Sequence, residues 1–167
     1  MRKSIIAILM TFCLSIMTYA QTPRDRATEL KEQAQSSLNQ KDYIKARYLF
    51  KKAYEAFATR ENYPQAIECG VQANALYVRE NFYKEGFELC RDMDQLIWAG
   101  EQNQKKVFYD LRFLVNKERL QMYTALKNPA QAKTQLNKLE ETANLAKNDS
   151  LTEVLLLSLI HISEPTR

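Results

Sequence analysis

Three glycines and four prolines are all that this 167-residue chain contains. A sheet protein of this length needs many more turn-forming residues, so the shortage points to an all-α fold. The chain has one histidine, His161, and it lies in the last eleven residues. Without another histidine, Ser–His and Cys–His nucleophilic pairs and histidine-based metal sites have no material in the rest of the chain. The three glycines stand singly, so no Gly-rich phosphate loop is present. No metal, cofactor or catalytic residue is expected.

The two ends differ from the middle. "MRKSIIAILMTFCLSIMTYA" (1–20) has a basic start (Arg2, Lys3), an apolar stretch from Ile5 to Met17, and Thr18 and Ala20 at the positions before a cleavage point. This is the layout of a secretory signal peptide, with Gln21 as the mature N-terminus; the apolar run is short for a membrane span. An uncleaved anchor is the alternative. Cys13 follows the bulky Phe12, which argues against a lipid-attachment box. The expected location is exported, in a Gram-negative periplasm. At the other end, "LSLIHISEPTR" (157–167) matches, over all eleven residues, the in-frame translation of a transposase sequencing adapter. It is set aside with His161 as an artefact, which leaves residues 21–156 as the native domain, incomplete at its C-terminus.

Charge excludes another class. Removing Arg2, Lys3 and Arg167 from the 24 basic residues leaves 21, and removing Glu164 from the 20 acidic ones leaves 19. A net charge of +2 gives no electrostatic footprint for nucleic acid, although "NQKKVFYDLR" (Asn103–Arg112) mixes bases and aromatics. Of the cysteines only Cys69 and Cys90 fall in the domain. Export permits a disulfide between them, but both read more simply as small buried apolar residues on helices.

What is present is amphipathic helix after amphipathic helix. Thr22, Pro23 and Asp25 read as a capping box with proline at the first helical position. Ala27, Leu30, Ala34 and Leu38 then share a face, as do Tyr43, Ala46, Phe50, Ala53 and Phe57. Further stripes are Ala66, Cys69, Gly70, Ala73 and Tyr77, then Tyr83, Gly86, Phe87, Cys90, Met93 and Ile97. Breaks are expected at Asn39–Asp42, Arg60–Asn62, Arg79–Asn81, Gly100–Asn103, Lys127–Asn128 and Lys147–Ser150. Gly100 is expected as a left-handed helix cap, and the fifth helix is expected from about Gln104 to Leu126. "NDS" (Asn148–Ser150) is expected to cap a seventh helix at Leu151. "CRDMD" (Cys90–Asp94) places its acids two apart, so they do not converge on a metal. "KLEETA" (Lys138–Ala143) reads as a solvated helix face.

An echo runs through the domain. "KDYIKA" (Lys41–Ala46), "ENYPQA" (Glu61–Ala66) and "ENFYKEG" (Glu80–Gly86) each give a polar turn, an aromatic, and a small residue three further on. The aromatic is expected to pack back on the preceding helix and the small residue to let two helices approach. Short breaks of this kind make antiparallel neighbours.

The pattern resembles the tetratricopeptide repeat. Asp42, Tyr43, Ala46, Phe50 and Ala53 match its second helix, Leu30 and Ala34 its first, and Tyr77, Tyr83, Gly86, Cys90, Tyr123, Ala132, Leu136 and Leu139 fit two looser copies. The departure is the period: Ala46, Gly86 and Ala132 are 40 and 46 apart, against about 34 in the family. The fold class expected is thus an all-α, TPR-like α-solenoid of helix pairs, with a plain helical bundle as the alternative. "RENFYKEGFELCRDMDQLI" and "QLNKLEETA", after the signal peptide, look like the exported sensor segment of bacterial histidine-kinase-like membrane signalling proteins.

That resemblance implies a non-catalytic periplasmic scaffold or sensor with a protein or peptide partner, no nucleic acid, and membrane attachment only through downstream sequence or an uncleaved N-terminus. The alternatives are a free exported adaptor of envelope complexes and, further off, an accessory domain of an enzyme. In such stacks partners bind the groove lined by the first helix of each pair. Here those helices offer Gln33, Ser37, Asn74, Tyr77, Arg112 and Asn116 as candidate groove residues.

Overall fold

The computed structural model describes residues 25–147 and Leu151. Six helices make up the described chain: α1 (Arg26–Asn39), α2 (Tyr43–Thr59), α3 (Tyr63–Arg79), α4 (Tyr83–Gln104), α5 (Tyr109–Ala125) and α6 (Pro129–Ala146). No strand occurs among the described residues, and successive helices pack side by side, so the chain is an all-α, solenoid-like stack. The signal-peptide region, the adapter-like tail and the "NDS" cap lie outside the described residues. So do Thr22 and Pro23. Asp25, expected within the first helical turn, is the N-cap itself: its carboxylate accepts the Ala27 N–H at 3.2 Å.

Four of the turns are built alike. After α1, α2, α3 and α5, one residue takes a left-handed conformation: Lys41, Glu61, Asn81 and Lys127, with φ of 62°, 57°, 62° and 53°. The next residue turns its N–H back to the helix just ended: Asp42 to the Ser37 carbonyl, Asn62 to Phe57, Phe82 to Tyr77 and Asn128 to Tyr123. These are Schellman closures, which satisfy carbonyls the helix end would leave bare. The same residue opens the next helix. Asp42, Asn62 and Asn128 accept the N–H three residues on, from Lys45, Gln65 and Gln131. Phe82 has no such acceptor. One short formula therefore stops one helix and starts its antiparallel neighbour.

The small residues of the echo sit where helices cross. Ala46 and Ala66 are fully buried, and Ala132 of the third, looser repeat copy is nearly so. At Gly86 a Cβ would meet Met122 Sδ at 2.8 Å and Asn74 Oδ1 at 3.0 Å, so α4 approaches α3 and α5 closely enough that a side chain there would displace Met122 and crowd Asn74. Ala46→Leu is expected to lower stability by about 1–3 kcal/mol through overpacking, whereas Lys45→Leu, at an exposed position, changes it little. Equal chemical-denaturation midpoints for the two variants would reject this packing. Two aromatics of the echo also reach forward along the chain. Tyr63 packs forward on Phe108, ring centroids 5.7 Å apart, and Tyr43 lies under the Arg79 guanidinium at 3.9 Å.

Gly100 corrects the sequence reading. It does not end α4, which runs on to Gln104, and it takes no left-handed conformation. Lys105 does, at φ 50°. Gly100 is instead a contact point: a Cβ there would fall 2.9 Å from the Phe108 ring and 3.0 Å from the Tyr63 ring. The break moves to residues 105–108, and α5 starts at Tyr109 rather than near Gln104.

Two apolar clusters hold the stack. The larger runs from Ala27 on α1 to Leu111, Val115 and Met122 on α5, with Phe50, Ile67 and Met93 at its centre. The smaller joins α5 to α6 through Phe113, Leu120, Ala132, Leu139 and Ala143, and Leu151 packs against it. Helix α5 thus shows one face to each. Cys69 and Cys90 are free and buried. Burial pushes their thiols up to about 11 and about 12, so both are inert apolar packing groups.

Candidate functional site

Three helices line a trough of about 480 Å3. Helix α5 is its floor, with Tyr109, Arg112, Asn116 and Arg119 spaced by three and four residues along one face. Asp94, Ile97 and Trp98 of α4 form one wall. Lys138, Glu141, Thr142 and Leu145 of α6 form the other. From Tyr109 to Arg119 the floor is ten residues, or about 15 Å at the helical rise.

Two ion pairs, seven residues apart on each helix, fasten the α4 wall to the floor. Arg119 pairs with Asp94, and Arg112 with Glu101. The second is the more structured. Glu101 is only 7% exposed. It accepts Arg112 Nε–H at 2.7 Å and the Phe108 backbone N–H at 2.8 Å, with a further bond from the same guanidinium to its other oxygen. The hydrogen bonds from Arg112, then that from Phe108, hold the Glu101 carboxyl below the usual carboxylate range against the opposing effect of burial. One side chain therefore closes the 105–108 segment, starts α5 and orients the trough's principal guanidinium. Arg112 has five N–H donors and spends two on Glu101, and its side chain is 47% exposed.

The trough presents two large apolar side chains to solvent, Trp98 at 63% exposure and Leu145 at 54%. Trp98 is the chain's sole tryptophan. Around them stand charges of both signs. This combination of aromatic and aliphatic anchors among hydrogen-bonding side chains suits a polypeptide. No group of three or more His, Cys, Asp or Glu is placed to hold a metal among the described residues, and none of the described helices is long and apolar enough to cross a membrane.

Of the six candidate groove residues, the structure brings two together: Arg112 and Asn116 share the trough floor. Gln33 lies elsewhere, exposed on α1 in a shallow dip with Glu29, Glu32 and Ser36. Ser37 is buried at 5% exposure and Asn74 at 0%, so neither lines a surface. Asn74 instead donates from Nδ2 to Glu118 Oε2 at 2.9 Å between α3 and α5. Tyr77 is committed internally: Arg47 lies 4.9 Å from its ring and 5.1 Å from that of Phe82 while pairing with Glu80. Sequence reasoning missed Trp98, Lys138, Glu141 and Leu145. The available signal was Trp98, a lone large aromatic on α4 beyond the apolar stripe that ends at Ile97. No family model, no curated protein and no solved structure matches this chain.

Proposed function

We propose that the chain is a non-catalytic, exported interaction scaffold with a tetratricopeptide-like arrangement, and that it forms the sensory N-terminal part of a bacterial membrane signalling protein. The α4–α5–α6 trough is the surface that takes a protein segment. The observation that carries this reading is the exposure of Trp98 and Leu145 on facing walls above a floor of hydrogen-bonding side chains. A trough of this length matches about three turns of a docked helix or four to five residues of an extended strand. The signal-peptide layout of residues 1–20 supports export.

The docking surface is tested by site-specific photo-crosslinking in an exporting cell. A photoreactive side chain in place of Asn116 is expected to give discrete protein adducts that Trp98→Ala reduces. The same side chain in place of Gln33 is expected to give none of them. Identical adducts from both positions, unaffected by Trp98→Ala, would remove the trough from consideration. The signalling assignment is tested by reading the intact gene onward from codon 156. About twenty consecutive apolar codons followed by a further domain support it; an early stop favours the free adaptor.

A further inference from the structure

The interior holds a carboxyl group with no cation partner. Glu118 of α5 is 4% exposed and faces Asn74 of α3, itself fully buried. Asn74 Nδ2 donates to Glu118 Oε2 at 2.9 Å. The other end of the same amide, Asn74 Oδ1, is buried without any hydrogen-bond partner. An orphaned acceptor of this kind is costly, and so is a buried carboxylate with a single hydrogen bond. The two defects have one remedy. A neutral carboxylic acid both accepts from an amide N–H and donates its O–H to that amide's oxygen, closing a ring of two hydrogen bonds.

We infer that Glu118 is held as a neutral acid whose O–H donates to Asn74 Oδ1, and that loss of this proton to solvent loosens α5 from α3, which makes the joint between the second and third helix pairs pH-responsive. On ionisation the Glu118 oxygens would face the Asn74 oxygen lone pairs with no proton between them. Solvation from the side is blocked, because the α4 backbone at Gly86 comes so near that a Cβ there would lie 3.0 Å from Asn74 Oδ1. Relief requires the helices to part.

The surroundings agree. Glu118's affinity for its proton is raised first by burial, against smaller opposing effects of the Asn74 hydrogen bond and the Lys117 charge. From α4, Cys90 is the neighbouring titratable group, and its buried thiol is pushed up to about 12. Arg119 and Asp94 also act on Cys90, but they are paired with each other. The charged side chains of α3 (Glu68, Arg79) and α6 (Lys133, Lys138, Glu140, Glu141) are exposed. Lys117 is the cation that acts on Glu118, and its effect is smaller than that of burial. This inference does not depend on what occupies the trough.

The sign follows from the raised pKa. Stability from this group is complete below the ordinary glutamate value of 4.5 and is lost as pH rises through the raised one. Across that interval the folding equilibrium of the wild type is expected to fall about tenfold per pH unit relative to Glu118→Gln, which keeps both hydrogen bonds and has no proton to lose. Two measurements test this. Infrared difference spectra of the wild-type chain near neutral pH, where exposed carboxyls are ionised, are expected to show the carbonyl stretch of a buried carboxylic acid. Denaturation midpoints of wild type and Glu118→Gln are expected to diverge as pH rises. Absence of the acid band in the wild type overturns the inference even if the variant fails to fold, and parallel pH profiles overturn it as well.

Discussion

Phe113→Ala is expected to lower stability by about 3–5 kcal/mol, the usual range for emptying a buried phenylalanine site. Phe113 is 1% exposed and is the largest of the five buried residues that join α6 to α5. The other four are two leucines and two alanines, which cannot close the space it leaves. The loss should also be local. Helix α6 rests chiefly on α5, whereas α2 and α3 share the larger cluster around Phe50 and Ile67. In a stack whose members contact only neighbours, stability is nearly a sum of local terms. Hydrogen exchange read helix by helix should therefore show α6 losing protection while α2 and α3 keep theirs. Equal loss in all six helices would mean that the two clusters behave as one cooperative core.

The second large effect is expected at the α4–α5 fastening. Arg112→Ala leaves Glu101, at 7% exposure, with only the Phe108 N–H. Breaking a buried, hydrogen-bonded charge pair costs several kcal/mol. Arg112 itself is 47% exposed in its side chain, so the cost is set lower, at about 2 kcal/mol at neutral pH. The pH dependence identifies the cause. Glu101 is held below its ordinary 4.5, so its contribution is present above that value and is lost as pH falls towards the lowered one. In Arg112→Ala the carboxyl lacks the bonds that chiefly lower its affinity for a proton, so this acid loss should shrink or vanish, and the two proteins should converge in acid. Urea denaturation at neutral and acidic pH checks this; a difference that stays constant would assign the effect to packing of the Arg112 stem.

Helix existence was legible from sequence wherever turn chemistry and apolar period agreed. Asp42, Asn62 and Asn128 announce three helix starts because a short side-chain acceptor at that position satisfies a bare N–H. The break after α4 was misplaced because glycine has two uses. It suits a left-handed cap, and it also suits a close crossing. Tyr63, 37 positions earlier, and Phe108, eight positions later, decide which applies at Gly100. Lys105, which takes the cap conformation, carries no sign of it.

The candidate site was less legible. Choosing one face of each first helix assumes that the face is free. Asn74 looks like a groove residue until Glu118, 44 positions later, is brought against it. Trp98 and the "KLEETA" stripe belong to second helices, whose joint surface with α5 exists only once three helices are assembled. Polar residues at an interhelical contact and polar residues at a surface have the same spacing, and no local pattern separates them.

The turns have a mechanical consequence. None of the six left-handed positions found at the helix ends is glycine; four are lysine, with one glutamate and one asparagine. A residue with a Cβ has a narrow left-handed well, where glycine has a broad one. The joints therefore do not act as swivels. With only three residues between most helices, each closed by a return hydrogen bond, the stack deforms the way a leaf spring does. Bending is taken up by small slides of helix on helix, shared along the stack. Helix α5 packs against both α3 and α4, so a displacement of α5 is shared directly with each of them.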